Sequence, residues 1–390
     1  MGVVFEEEKQ RKTVVVGSSL EEFIENAGGC AVVDGGFATQ LELHGASIND
    51  PLWSALCLID NPHLISKVHL EYLEAGADVI VTSSYQATLP GFISRGLSQE
   101  QGEKLLEKSV KLATEARDVF WESVEKIDNH SYNRALVAAS IGSYGAYLAD
   151  GSEYSGYYGS DVDLNKLKDF HRRRLQVLVE AGPDLLAFET IPNKLEAQAV
   201  AELLEEENVE IPSWICFSCV DGVNAPSGES FNECLEVLNK SKRIAAVGIN
   251  CAPPQFVHDL IKKFKELTGK VIVVYPNSGE IWDGVAKRWL PSKCFNDDKF
   301  KAYATRWRDA GAKLIGGCCR TTPSTTRGLS KGCKRAEPSS SSFRLELGSF
   351  KCIKLELELG SFRALFVKLE LELVKNQASS GSARARLVYL

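Results

Sequence analysis

No run in this chain approaches the roughly 18 consecutive apolar residues that a membrane-crossing helix needs, so no such span is expected. The opening segment, Met1 to Lys12, is too charged for a secretory leader, and Glu6 stands where a myristoylation motif wants Ser or Thr. The final Val388-Tyr389-Leu390 offers no prenylatable cysteine. A long basic block is missing as well. The net charge of −7 is spread through the 390 residues, which argues against nucleic acid or an anionic membrane as a partner. No G-x-G-x-x-G follows the first apolar run. Asp34-Gly35-Gly36-Phe37-Ala38-Thr39 is only superficially similar, so a dinucleotide-binding sheet is disfavoured. These absences make the cytoplasm the expected location; a monomeric or weakly associating protein is expected.

Cysteine is the residue type present in informative number. Eleven cysteines without a leader imply reduced thiols and possible metal ligands, not a disulfide framework. Cys216-Phe217-Ser218-Cys219 has CxxC form, but it continues a strand-like run in which residues three apart face opposite ways, so core packing is expected. Cys30, Cys57, Cys234 and Cys294 have no companions nearby in sequence and are assigned to packing too. Cys318 and Cys319 differ, because they follow Lys313-Leu314-Ile315-Gly316-Gly317, while Cys251 follows the apolar run Ala245 to Asn250. Three thiolates can hold one Zn²⁺ and leave its fourth position open, the arrangement of catalytic rather than structural zinc sites. The double glycine is expected to let the backbone bend so that two consecutive side chains reach one ion.

With 44% hydrophobic and 25% charged residues, the chain has the composition of a soluble protein with a substantial core. Eight short apolar runs can be counted, at 31–33, 78–81, 136–139, 184–188, 214–217, 245–249, 271–274 and 313–315. Amphipathic stretches such as 61–75, 164–181, 194–206, 254–268 and 298–310 lie between them, with apolar residues at intervals of three and four. Eight βα units predict a (β/α)8 TIM-type barrel, whose active site is built at the C-terminal ends of its strands. The residues following the runs suit such a site: Asp34, Ser83 and Ser84, Ser143, Glu189, Ser218, Asn250 with Cys251, and Cys318 with Cys319.

Seven motifs together resemble the zinc-dependent homocysteine S-methyltransferases, in particular the plant-type enzymes that use S-methylmethionine. They are Asp34–Glu42, Thr82-Ser83-Ser84-Tyr85-Gln86, Gly142–Ala146, Phe188-Glu189-Thr190-Ile191-Pro192, Val247–Cys251, Tyr275–Glu280 and Gly316–Thr321, spread over residues 25–325 in family order. The resemblance implies that Cys251, Cys318 and Cys319 bind zinc and that the sulfur of homocysteine joins them. A methyl group then moves to it from a sulfonium donor, giving methionine. S-adenosylmethionine and betaine are alternative donors, and a non-catalytic zinc-binding barrel is the competing class. Glu189 and Asp34 are candidates for the substrate ammonium, since a buried carboxylate calls for a cation or a hydrogen-bonded network. Ser83 and Ser84 are candidates for the substrate carboxylate, and Asn250 for orienting the ligand or bracing the loop beside Cys251. Tyr85, Tyr144, Tyr275 and Trp282 are candidates for a cation–π surface against the donor. Arg320 is expected to meet a carboxylate or support the zinc loop.

The pattern weakens after Thr326. Gly328 and Gly332 fall where the last helix should run, and each costs about 1 kcal/mol in a helix interior. Repeats follow in Leu345–Phe350, Leu357–Phe362 and Lys368–Leu373, a Leu/Glu alternation too short for a solenoid or propeller. A barrel over residues 1–330 and a low-complexity, poorly ordered C-terminal extension over 331–390 are therefore expected, with Cys333 and Cys352 outside the ligand set.

Overall fold

The computed structural model describes residues 18–127, 130–283, 288–290 and 297–334. Eight parallel strands are present: β1 Ala31–Val32, β2 Val79–Val81, β3 Leu136–Gly142, β4 Leu185–Ile191, β5 Ser213–Phe217, β6 Ile244–Asn250, β7 Val271–Tyr275 and β8 Leu314–Ile315. They pair in sequence order, β8 pairs with β1, and a parallel bridge from Val33 to Val79 joins β1 to β2, so the sheet closes as the sequence predicts.

Each strand is followed by a helix on the outside: α1 Pro62–Glu74, α2 Gln99–Val124, α3 Leu164–Glu180, α4 Lys194–Glu206, α5 Phe231–Leu238, α6 Pro254–Leu267, α7 Asp297–Ala310 and α8 Pro323–Cys333. Local chemistry starts several of them. Ser98 and Ser230 form capping boxes with Gln101 and Glu233, while Asp163 and Asn193 accept from the third helical N–H of α3 and α4. α6 shows why the helices dock: Val257, Leu260, Ile261 and Phe264 recur at intervals of three and four and are all buried.

Strand alternation separates two cores. Ile80, Val137, Leu186, Phe188, Ile215, Phe217, Val247 and Val274 point outward under the helices. Ala31, Val79, Ala138, Leu185, Ala187, Trp214, Cys216, Ala246, Val273 and Leu314 point inward and fill the barrel. Leu20, Ile24 and Ala27, from and just after the helix Ser18–Asn26, join the inner cluster. Cys216 thus sits in the inner core and Cys219 in the outer one, as the strand periodicity requires. Cys30, Cys57 and Cys234 are buried in the outer core.

Two features depart from the sequence-based expectations. An antiparallel pair, Ile281–Asp283 with Arg288–Leu290, is inserted between β7 and α7. The last helix is not interrupted at its glycines but runs unbroken to Cys333, three residues past the expected boundary at 330. Gly332 lies against α7, where an added Cβ would stand 2.8 Å from the Ala304 Cβ and closer still to the Lys301 carbonyl oxygen. Packing of Leu329 and Cys333, both fully buried, outweighs the propensity cost. Arg308 then donates to the carbonyls of Gly332 and Cys333 at 3.0 and 3.2 Å, placing a cation at the helix C-terminus. The chain divides after Arg335, and residues 336–390 with their Leu/Glu repeats and Cys352 lie outside the described residues. Cys294 and the side chain of Trp282 also lie outside them.

Candidate active site

Parity along the strands carries the site. Leu185 and Ala187 face inward on β4, and so does Glu189 two residues on; β6 ends on Asn250, paired with Tyr275 of β7. Cys251 follows with a left-handed backbone, φ +50°, which an L-residue adopts only when its surroundings enforce it. Its N–H donates to the Tyr275 carbonyl at 3.1 Å. Cys318 donates its N–H to the Pro276 carbonyl at 2.8 Å, and Ser278 donates to the Cys319 carbonyl at 2.9 Å. The loop after β7 therefore stitches both sulfur sources together.

The turn that aims Cys318 and Cys319 is not made by conformational freedom of the double glycine. Neither Gly316 nor Gly317 has a positive φ; the left-handed residue is Arg320, φ +63°. The glycines are needed for close approach instead. A Cβ at Gly317 would lie 2.8 Å from the Thr321 Cβ, and one at Gly316 would lie 2.7 Å from the Val33 Cβ. Arg320 is held by Glu280, with Nε 2.7 Å from Oε2, and its N–H donates to Thr39 Oγ1 at 3.0 Å. It supports the cysteine loop.

The outcome is a cluster of three sulfurs. Cys251 Sγ lies 3.0 Å from Cys318 Sγ and 3.4 Å from Cys319 Sγ, and all three fall within 4.8 Å of one another. Ligands about 2.3 Å from a tetrahedral zinc stand roughly 3.8 Å apart, so this donor set fits one such ion. Cys251 is held towards its thiolate by the Cys318 and Cys319 thiols and by the Tyr154 hydroxyl, which donates to it at 3.3 Å. Sharing that charge pushes the other two thiols upward. A cation would relieve all three.

Two carboxyls lie close enough to feel one another. Asp34 Oδ2 accepts from the Val81 N–H at 2.8 Å, and burial, helped by the nearby Glu189 charge, holds its carboxyl well above the usual range. Burial pushes Glu189 up to about 7, against the pull of the Ser140 and Tyr275 hydroxyls. Ser140 Oγ is hydrogen-bonded to Glu189 Oε1. Glu153 is a third carboxyl, raised to about 7 by burial and then by Cys251, and its Oε2 has no partner among the described residues.

The remaining candidates divide. Ser83 is buried, with a hydroxyl unpartnered among the described residues. The Ser84 hydroxyl is engaged with Thr82 Oγ1 at 2.6 Å and the Ser140 carbonyl at 2.8 Å. The Asn250 side chain is taken up by Thr190, accepting from its N–H at 2.7 Å and donating to its Oγ1 at 2.8 Å. It braces β6 against β4. Tyr275 is enclosed, its hydroxyl accepting from Trp214 Nε1 at 3.0 Å, and Tyr144 packs edge-on to Tyr158 and Phe170. Tyr144 is taken up by packing, whereas the Tyr275 hydroxyl also reaches the Glu189 carboxyl. Tyr85 is within electrostatic reach of Glu153, Cys251 and Glu189.

Glu153 and Tyr154 were missed by sequence reasoning. They lie on the short helix Ser152–Ser155, ten or more residues beyond the end of β3, and no periodicity brings them to the sulfurs. The Glu153 carbonyl accepts from Ser218 Oγ at 2.7 Å, which fixes this segment over the end of β5.

Comparison with known proteins agrees with this geometry. The pattern of the family described as homocysteine S-methyltransferase matches residues 31–333. Homocysteine S-methyltransferase 1 of Brassica oleracea var. italica is 76% identical over 316 residues, covering 81% of this chain and 97% of that protein. Its Zea mays counterpart is 68% identical over 312 residues, covering 80% and 97%. The crystal structure of the homocysteine methyltransferase MmuM from Escherichia coli, in a metallated form, superposes with a TM-score of 0.70 at 38% identity, covering 80% of this chain and 98% of that one. The chain belongs to the homocysteine S-methyltransferase family and is an enzyme of that activity.

Proposed function

We propose that this enzyme uses S-methylmethionine as its methyl donor and zinc, held by Cys251, Cys318 and Cys319, as its metal, producing two molecules of methionine. The sulfur cluster at the strand ends is the observation that carries the metal assignment. The carboxyls support the donor. Asp34 accepts from an N–H and Glu189 from an O–H, and Glu153 Oε2 has no partner among the described residues, so the site suits ligands that bring positive charge. Beside the homocysteine ammonium, S-methylmethionine brings an ammonium and a sulfonium, whereas betaine brings one quaternary nitrogen.

Zinc bound at the three thiolates supplies a Lewis acid that keeps a thiol of ordinary pKa about 8.5 deprotonated at neutral pH. Asp34 and Glu189 hold the homocysteine ammonium, and the Ser83 hydroxyl donates to its carboxylate. Tyr85 and Glu153 face the sulfonium side. The homocysteine sulfur attacks the methyl carbon in line; a new C–S bond forms as the sulfonium C–S bond breaks, and the bond electrons neutralise the departing sulfur as methionine. Holding the two reactants in that line is worth about 7–11 kcal/mol. We place this activity in the cytoplasm, where the thiols stay reduced, and in a monomer.

The test is a donor panel of S-methylmethionine, S-adenosylmethionine and betaine on the full-length enzyme, read as methionine formed, with metal content measured on the same sample. Greatest kcat/KM with S-methylmethionine and one zinc per chain are expected. A preference for another donor would overturn the first assignment, and a metal-free active enzyme the second. Cys251→Ala should lose the metal and lower turnover by more than the 10–100-fold typical of a group that only supports a ligand.

A further inference from the structure

The segment that brings Tyr154 to Cys251 is anchored by an ionic group that touches none of the cysteines. Glu196, in the first turn of α4, is fully buried, as is His171 on α3. Glu196 Oε1 accepts from the Tyr144 N–H at 2.6 Å and from His171 Nε2 at 2.8 Å, and Oε2 accepts from the Tyr158 hydroxyl. One turn earlier, Asn193 Nδ2 donates to the Gly156 carbonyl at 3.2 Å. Both ends of the 144–158 segment are thus tied to the start of α4, and Tyr154 projects from its middle to the sulfur.

The protonation pattern follows from the partners. Arg174 Nη2 donates to His171 Nδ1 at 2.9 Å and to the Gly142 carbonyl at 2.6 Å. The imidazole therefore carries its proton on Nε2 and stays neutral, in keeping with the downward pull of burial. It spans the gap between a buried guanidinium and a buried carboxylate. A buried ionic group of this kind seldom exceeds well-packed apolar residues in stability, but it can specify one arrangement among several. Here the arrangement specified is the height of the segment above the thiols.

We infer that Glu196 is a positioning residue for the sulfur cluster, acting through the 144–158 segment to hold the Tyr154 hydroxyl on Cys251. The inference rests on the reading of Cys251 as a working thiolate, but not on the identity of the donor. It is tested with Glu196→Gln, Tyr154→Phe and the double variant, all in the full-length chain. Two quantities are read: kcat/KM for homocysteine, and the rate at which iodoacetamide labels Cys251, followed by peptide mass spectrometry. Labelling needs neither a methyl donor nor turnover, so a wrong donor assignment leaves that readout intact. Glu196→Gln should lower kcat/KM about tenfold, the scale of one hydrogen bond to a charged group, and slow Cys251 labelling several-fold, because the sulfur loses a hydrogen bond that favours its thiolate. In the Tyr154→Phe background it should change either quantity less than about twofold, because coupled residues are not additive. Wild-type labelling in Glu196→Gln, or an equal effect in both backgrounds, would overturn the inference. If Glu196→Gln does not fold, Tyr158→Phe removes one of the same hydrogen bonds while keeping the carboxylate, and the same cycle with Tyr154→Phe decides the matter by the same criteria.

Discussion

At the scale of single residues, the carboxyl of Glu189 makes a pH prediction whose sign can be worked out. Burial raises it to about 7, above the ordinary value near 4.3. The native state therefore holds a proton that the unfolded chain has released, and this group's share of stability, full at low pH, is lost as pH rises through 7. Substrate binding runs the opposite way, because an ammonium ion prefers the ionised carboxyl. Methionine carries the same ammonium without a titrating thiol, so its inhibition constant should tighten as pH rises through about 7. Glu189→Gln should weaken methionine binding by about 1.5–3 kcal/mol and flatten the profile. An unchanged profile in that variant would place the ammonium elsewhere. Asn250 should behave differently. Its two hydrogen bonds to Thr190 close the space between β4 and β6, so Asn250→Ala leaves buried groups unpaired at about 1–3 kcal/mol each. Differential scanning calorimetry should show a lowered Tm, while KM for homocysteine moves much less than in Glu189→Gln.

At the scale of elements, α8 separates propensity from packing. Helix propensity alone says that Gly332→Ala stabilises by about 1 kcal/mol. The approach of α7 says the reverse, because the new methyl group would overlap the Lys301 carbonyl and crowd Ala304. Overpacking of this kind costs about 1–3 kcal/mol, so the variant should unfold at lower urea concentration than the parent. A rise in the midpoint would show that the two helices can part at no cost. The loop after β7 teaches a similar lesson. Its Tyr275–Glu280 motif was visible as polar residues at a strand end, yet Glu280 works there through its side chain, on Arg320, while backbone groups of Tyr275, Pro276 and Ser278 pair with the cysteine loops.

At the scale of the whole molecule, barrel closure depends on the last turn of α8. Cutting after Arg327 removes Leu329, Gly332 and Cys333, all buried against neighbouring elements, and should lower Tm sharply. Cutting after Lys334 keeps them. The 1–334 chain should retain methionine formation within about twofold of the full-length enzyme, since the family match also ends at residue 333. Loss of activity in the 1–334 chain would assign a role to residues 335–390.

Periodicity and residue type were enough to read eight strands, their order around a barrel, and the cysteines that meet at its rim, because a period of two or 3.6 and a strand-end position are properties of the chain itself. The strand-end positions of Glu189 and Ser83 were legible for the same reason. Tertiary contacts were required to tell Ser83 from Ser84, to bring Thr190 to the Asn250 side chain, and to bring Glu153 and Tyr154 to the sulfurs. A side chain's availability depends on which neighbour takes its hydrogen bonds, and those neighbours lie 56 residues away for Ser84, 60 for Asn250 and 97 for Tyr154. No local pattern encodes partners at such separations; the closed sheet brings them together.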